Sequence, residues 1–294
     1  MEELRGAPVA RAIMDKTAGE ITRLAQAGIM PKLAVFRVGS REDDIAYERS
    51  IIKRFSAAGA AVEVMALSED ATQEELEAAV RRAADDESVH GILVFSPLPK
   101  KFNAGRIRML IPAEKDVDGM TDVSLAGVFR GDKNAFAPCT AQAIVEILRY
   151  YGMENLAGKR VTVVGRSTVV GKPLAMLLLG MNATVTVCHT KTADTAAECR
   201  RADVVIACAG QARMVTDEYM SAGQTIIDVG INADGDGICG DVDYAAAQSI
   251  VAAATPVPGG VGAVTTAVLL SHTVRNAAIA LKSEHIPLNF FKKL

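Results

Sequence analysis

Short β-rich runs alternate with helical stretches along most of this chain, and that alternation leaves few folds open. KLAVFRV (32–38), AVEVMAL (61–67) and HGILVFS (90–96) are apolar runs of strand length. A helix-like segment (7–26) precedes them, and DIAYERSIIKRFSAAG (44–59) and TQEELEAAVRRAADD (72–86) separate them with helical spacing. Gly59 offers the one helix a C-terminal stop, and Thr72 followed by Glu75 fits a capping box opening the other. A looser stretch, 97–138, is rich in Pro, Gly and Asp. A second series follows. It comprises a helix at 139–152, strand KRVTVVG (159–165), a helix from Gly171 to Leu179, strand ATVTVC (183–188) and a helix near 192–201. Strands ADVVIACAG (202–210) and QTIIDVG (224–230) and a final long helix (263–282) complete it. Alternation of this kind implies parallel sheet with helices on both faces. The 294 residues suffice for two domains of about 100–200 residues each. The expectation is an α/β protein of two α/β domains, with a boundary near residue 138. Residues 1–137 and 270–294 would make the first domain and 138–269 the second, the last helix returning to the first.

Net charge is −3, so no basic footprint for nucleic acid is present. The five cysteines, at 139, 188, 199, 208 and 239, form no CxxC pair and no zinc spacing. They read as reduced thiols of a cytoplasmic protein, and no metal site is expected. The opening MEELRGAPVAR is too polar for a signal peptide. Apolar runs such as AMLLLGM fall short of the roughly 18–20 residues of a membrane span, so none is expected.

VTVVGRSTVVGKP (161–173) puts Gly165 at the end of an apolar strand and Gly171 where a helix should start. That is where a dinucleotide pyrophosphate meets a helix N-terminus. The string departs from GxGxxG: Ser167 holds the second position and Gly171 comes one residue late. On the motif alone, an ordinary β–α turn fits as well. The next strand ends about 20 residues on, where NAD enzymes carry an acid for the ribose 2′-hydroxyl. Here the chain reads CHTKT, and Thr190, Lys191 and Arg166 can meet a 2′-phosphate instead. This favours NADP over NAD, the alternative for both cations being solvated surface charge.

Several strings together resemble the bifunctional methylenetetrahydrofolate dehydrogenase/cyclohydrolase family. They are GILVxxPLP (91–99), EKDVDG (114–119), PCT (138–140), GRSTVVGKP (165–173), ATVTVCHTKT (183–192) and TPVPGGVGAVTTA (255–267). They stand in the family's order, between about residues 32 and 275. The resemblance implies oxidation of 5,10-methylenetetrahydrofolate with a nicotinamide cofactor. Hydrolysis of the methenyl product to 10-formyltetrahydrofolate follows, in one-carbon metabolism and purine biosynthesis. It further implies a Rossmann-type second domain, a cleft between the two domains, and a homodimer.

The resemblance assigns Tyr47 and Asp118 to catalysis and folate binding. Pro258, Gly259 and Gly260 join the folate site, and Gly165, Arg166, Ser167, Gly171, His189, Thr190 and Ile231 the cofactor site. The chemistry suits these types. A carboxylate can take two adjacent pterin N–H donors in a charge-assisted pair, although a turn Asp often caps its own backbone. Prolines stiffen TPVPGGVG while its glycines let backbone approach a ligand; a plain crossover is the alternative. Tyr47 on pattern alone is a half-buried packing aromatic, and the family match places it along the folate ring.

Two departures stand out. The family pattern puts a lysine one helical turn after the tyrosine; here that position is Ile51. The glutamine that bonds this lysine is replaced by Phe95. Leaving one buried polar partner alone costs about 1–3 kcal/mol, whereas making both apolar can be nearly neutral. The paired change therefore reads as a settled state. Lys53 lies six residues after Tyr47 and Arg49 two, both off its face, and the guanidinium of Arg54 is a poor base. The expected activity is the dehydrogenase, with the cyclohydrolase weak or absent. The alternatives are a fully bifunctional enzyme, a folate- or nucleotide-binding protein without turnover, and a dehydrogenase for another substrate.

Overall fold

The computed structural model describes residues 1–235 and 237–284. The chain opens with β1 (Glu2–Glu3) and α1 (Gly6–Gln26), then runs β2 (Lys32–Val38), α2 (Glu42–Ala57), β3 (Ala61–Leu67), α3 (Gln73–Asp85) and β4 (Gly91–Val94). The looser stretch holds α4 (Ala104–Arg108) and α5 (Asp122–Arg130). It continues as α6 (Cys139–Tyr150), β5 (Arg160–Val164), α7 (Gly171–Gly180), β6 (Thr184–Cys188), α8 (Thr195–Arg200), β7 (Val204–Ala207) and β8 (Thr225–Asp228). The last elements are β9 (Asn232–Asp234), β10 (Gly237–Cys239), α9 (Tyr244–Ile250), β11 (Ala253–Ala254) and α10 (Val261–Glu284). The expected elements thus form at their expected places.

Two compact units result: Ile13–Ser124 with the residues from Leu269 on, and Met1–Ala12 with Leu125–Val268. The division passes through α1, α5 and α10. It lies before the boundary expected near residue 138, and it assigns residues 1–12 to the later unit, because β1 pairs with β11 there. Of the residues expected to return to the first domain, 285–294 lie outside those described.

The first unit is built on a three-stranded parallel sheet, β3–β2–β4. Ala34, Phe36 and Val38 on one face of β2 meet Leu76, Val80 and Ala83 of α3 and Ile92 of β4 in its core. Thr72 and Glu75 form the capping box that opens α3, the Thr72 hydroxyl accepting from Glu75 N at 3.1 Å and the Glu75 carboxylate from Thr72 N at 2.8 Å.

The second unit carries a six-stranded parallel sheet in the order β1–β11–β8–β7–β5–β6. The chain leaves β5 to one side for β6 and returns to its other side for β7. The carboxyl end of β5 is therefore a topological switch point, where open α/β sheets bind ligands. β9 and β10 form a small antiparallel pair after β8. No disulfide joins the five cysteines, and no cluster able to hold a metal occurs among the described residues. The expectation from apolar runs missed one helix: Val261–Leu281 of α10 is long and apolar enough by composition to cross a membrane. It is 67% buried within the protein, as in the core helix of a globular domain.

Candidate active site

In the first unit α2 presents Tyr47 half-buried, and its ring meets Phe95 with centroids 5.4 Å apart and planes inclined by 38°. Phe95 follows β4 directly and is held there by its N–H donating to Phe36 O at 2.9 Å. Ile51, one turn along α2, is fully buried beside Phe55 on the inner face of the helix. Arg49 and Lys53 are exposed, so neither supplies an amine where Ile51 sits. The Glu48 carboxylate is engaged by Arg37 Nε at 2.8 Å.

KDVDG holds its turn with the other aspartate. Buried Asp116 accepts from Met120 N at 2.9 Å and Thr121 N at 2.7 Å. Asp116 thus caps this turn, and Asp118 stands half-buried two residues on. Lys115 anchors the same loop, its ammonium donating to Ala83 O, Ala84 O and Asp86 O at the C-terminal end of α3, a favourable place for a cation. From the other side, His272 of α10 meets Val117 O through Nδ1 at 2.8 Å. Burial pushes His272 down to about 4, so the ring is neutral and Nδ1–H donates. Asn276, one turn further, donates to His90 O at 2.7 Å.

In the second unit the loop from Gly165 to Gly171 lies at the switch point of the sheet. Gly165, at φ +137°, has no room for a Cβ against Cys208 O. A Cβ on Gly171 would strike Gly165 O. Strand end and helix start therefore touch backbone to backbone, the cradle that a dinucleotide pyrophosphate needs. The Ser167 hydroxyl accepts from Val170 N at 3.1 Å, closing the turn, and Arg166 is exposed beside it. After β6, Thr192 closes a second turn: its Oγ1 accepts from His189 N at 2.9 Å and its N–H donates to His189 O at 2.8 Å. His189 Nδ1 accepts from Lys191 N at 3.1 Å, which leaves the ring proton on Nε2. Thr190 and Lys191 stand exposed at the tip, and no acid occupies this turn.

The TPVPGGVG loop leads from β11 into α10 and is tied to the start of the chain, Gly6 N donating to Gly259 O at 2.8 Å. Pro258 and Gly259 are on its outer side and Gly260 is buried. Ile231 is 66% exposed, and its Cδ1 lies 3.8 Å from where a Cβ on Gly262 would stand. The expected cofactor residues thus fall on three loops of one unit, together with the PGG turn. Tyr47 and Asp118 belong to the other unit. Sequence reasoning missed the residues that hold these loops: Asp116, Lys115, His272, Asp228 and Asp241. The visible signal was a charge or His in an otherwise apolar setting, as in TIIDVG and LLSHTV.

Two family models match the chain. The tetrahydrofolate dehydrogenase/cyclohydrolase catalytic domain covers residues 4–118, and the NAD(P)-binding domain of the same family covers residues 138–281. The bifunctional protein FolD of Carboxydothermus hydrogenoformans is 49% identical over 281 residues, 95% of this chain and 98% of that one. The crystal structure of the bifunctional FolD methylenetetrahydrofolate dehydrogenase/cyclohydrolase of Campylobacter jejuni superposes with a TM-score of 0.91 at 36% identity, covering 95% of this chain and 99% of its own. A Trypanosoma brucei methylenetetrahydrofolate dehydrogenase-cyclohydrolase, solved with NADP and an inhibitor, gives a TM-score of 0.90 at 36% identity, covering 95% and 97%. With both its units matched and its sheet order and glycine cradle in place, the chain belongs to the tetrahydrofolate dehydrogenase/cyclohydrolase family.

Proposed function

We propose that this protein oxidises 5,10-methylenetetrahydrofolate to the methenyl compound with NADP, and that its cyclohydrolase step is weak or absent. The observation that carries the second half is the burial of Ile51 and Phe95 where the family pattern has a lysine and its glutamine partner. Hydrolysis of the methenyl bridge needs a water to be activated and protons moved, help worth about 10²- to 10⁴-fold. Neither an isoleucine nor a phenylalanine can carry a proton. Oxidation asks less of the protein: the folate nitrogens supply the electron push, and alignment does most of the rest.

NADP, when bound, supplies the hydride acceptor. The backbone cradle at Gly165 and Gly171 suits its pyrophosphate, and Ser167 and Ile231 line the same side of the unit. Arg166, His189, Thr190 and Lys191 suit a 2′-phosphate, and no acid stands there to favour an unphosphorylated ribose. Asp118 is suited to accept from the pterin edge. Tyr47 offers a ring face for the folate, and Pro258, Gly259 and Gly260 a stiff turn with exposed backbone.

The test is to assay NADP reduction and methenyl hydrolysis separately on pure protein. Rapid reduction with hydrolysis near the uncatalysed rate is expected. Hydrolysis that keeps pace with oxidation and is lost in Tyr47→Phe would overturn the reading. It would favour the fully bifunctional alternative, supported by the relatives that bear that name. We further propose a cytoplasmic homodimer that engages neither nucleic acid nor membrane, in keeping with its net charge and family.

A further inference from the structure

We infer that Asp228 and Asp241 are a pair of positioning residues that set the NADP-binding loops of the second unit. This rests on reading the carboxyl edge of its sheet as the dinucleotide site. Asp228 ends β8 and is buried; its Oδ1 accepts from Gly230 N at 3.0 Å and Asp241 N at 2.9 Å, and its Oδ2 from Val242 N at 3.0 Å. Asp241 is fully buried; its Oδ2 accepts from Ala209 N at 2.6 Å and Gly210 N at 2.8 Å. Its Oδ1 accepts from Gln211 N and from Asn232 Nδ2, each at 2.9 Å. Asp228 N donates in turn to Thr255 Oγ1 at 2.7 Å.

The two side chains thus bind three loops, and the backbone N–H of Asp228 holds the start of a fourth. These are the loop after β7 (208–211), the loop after β8 (229–232), the segment after β10 (239–242) and the first residue of TPVPGGVG. Two of them meet or carry a residue proposed to touch the cofactor. Cys208 O is the atom against which Gly165 must lack a Cβ. Ile231 lies between Gly230, which donates to Asp228, and Asn232, which donates to Asp241. The fit admits no variation at the glycines: a Cβ on Gly230 would strike the Asp241 carboxylate, and one on Gly240 the Asp228 carboxylate. Burying two carboxylates side by side is costly unless each is fully hydrogen-bonded. The same fold could have satisfied these loops with amides or water. Charge-assisted bonds hold donors in place about twice as strongly as neutral ones, which suits loops that must keep their shape before the ligand arrives.

The test compares wild type with Asp228→Asn, Asp241→Asn and the milder Asn232→Ala in steady-state dehydrogenase assays, varying NADP and methylenetetrahydrofolate in turn. We expect KM for NADP to rise about tenfold or more in the aspartate variants and about threefold in Asn232→Ala, with KM for the folate within about twofold of wild type. A loss shared equally by both substrates, or a KM for NADP unchanged in folded variants, overturns the inference. If the aspartate variants do not fold, Asn232→Ala decides it by the same split. Wild type that neither reduces NADP nor binds NADPH fails the proposed function itself, a separate result.

Discussion

The ring of Tyr47 packs against the ring of Phe95, their centroids 5.4 Å apart, one turn of α2 from the fully buried Ile51. The place where the family pattern keeps an amine and an amide is here closed by apolar groups. Ile51→Lys alone would bury an ammonium without its partner and destabilise the fold by about 3 kcal/mol or more. Adding Phe95→Gln gives that ammonium an acceptor, so the double variant is expected to be more stable than the sum of the single changes, by about 1 kcal/mol. Denaturant unfolding of the four proteins in a double-mutant cycle measures this coupling. The same double variant should gain methenyl hydrolysis by about 10²-fold or more. No gain in a folded double variant would mean that Ile51 and Phe95 are not what limits hydrolysis.

Asp116 and Asp118 stand two residues apart and should fail in opposite ways. Asp116 is buried and accepts two backbone N–H groups. Asp116→Asn replaces one carboxylate oxygen by a donor facing an N–H, and should cost about 1–3 kcal/mol of stability. Asp118→Asn should cut kcat/KM for methylenetetrahydrofolate at least about tenfold, while the two Asp116 bonds that hold the turn stay in place. Thermal melts beside kinetics separate the two. A dehydrogenase indifferent to Asp118→Asn would point to another substrate.

Much of this was legible because periodicity survives in the strands and helices that matter. KLAVFRV and AVEVMAL are β2 and β3 residue for residue, and the Thr72–Glu75 box caps α3. The chain could not announce β1 or β11, each two residues long, because pairing between distant segments and not local pattern makes them strands. It hid α4 and α5 inside a Pro- and Gly-rich stretch for a similar reason: helices of five and nine residues hold too few turns to show a stripe. At the site, ligand-facing candidates were readable from glycine and charge at loop tips. Their supports were not. The hold of Asp116 on its turn is invisible in KDVDG, and nothing local links His272 to Val117, 155 residues away.

Cofactor choice rests on exposed cations around two tight turns. Arg166 and Lys191 are both solvent-facing, so removing either should cost little stability. If they hold a 2′-phosphate, Arg166→Ala and Lys191→Ala should each raise KM for NADP about tenfold and leave KM for NAD nearly unchanged. The ratio of kcat/KM for the two cofactors reads this directly. Equal losses with both cofactors would return these residues to ordinary surface charge.

His272 makes the first unit sensitive to acid. Its ring is buried and held at a pKa of about 4, against an ordinary 6.5, first by desolvation and then by the charge of Arg275. Nδ1–H donation to Val117 and the nearby Asp116 carboxylate oppose this without overcoming it. The unfolded chain therefore takes up a proton below about 6.5 that the folded chain refuses until about 4. Stability from this group is complete above the higher value, falls with pH across the window, and is lost by about 3 kcal/mol at the bottom. Asp228 in the other unit acts in the reverse sense: burial raises it to about 6, so the folded chain keeps a proton that the unfolded chain sheds, and stability falls as pH rises from about 4 to 6. Whole-protein melts can thus look flat. The informative quantity is the difference between wild type and His272→Asn, whose amide can still donate to Val117 O but does not titrate. That difference should swing against wild type as pH falls from 6.5 to 4, and stay level above 7. A pH-independent difference would show that the proton affinity of His272 does not change on folding, and that burial does not hold the ring neutral against the loop carrying Asp118.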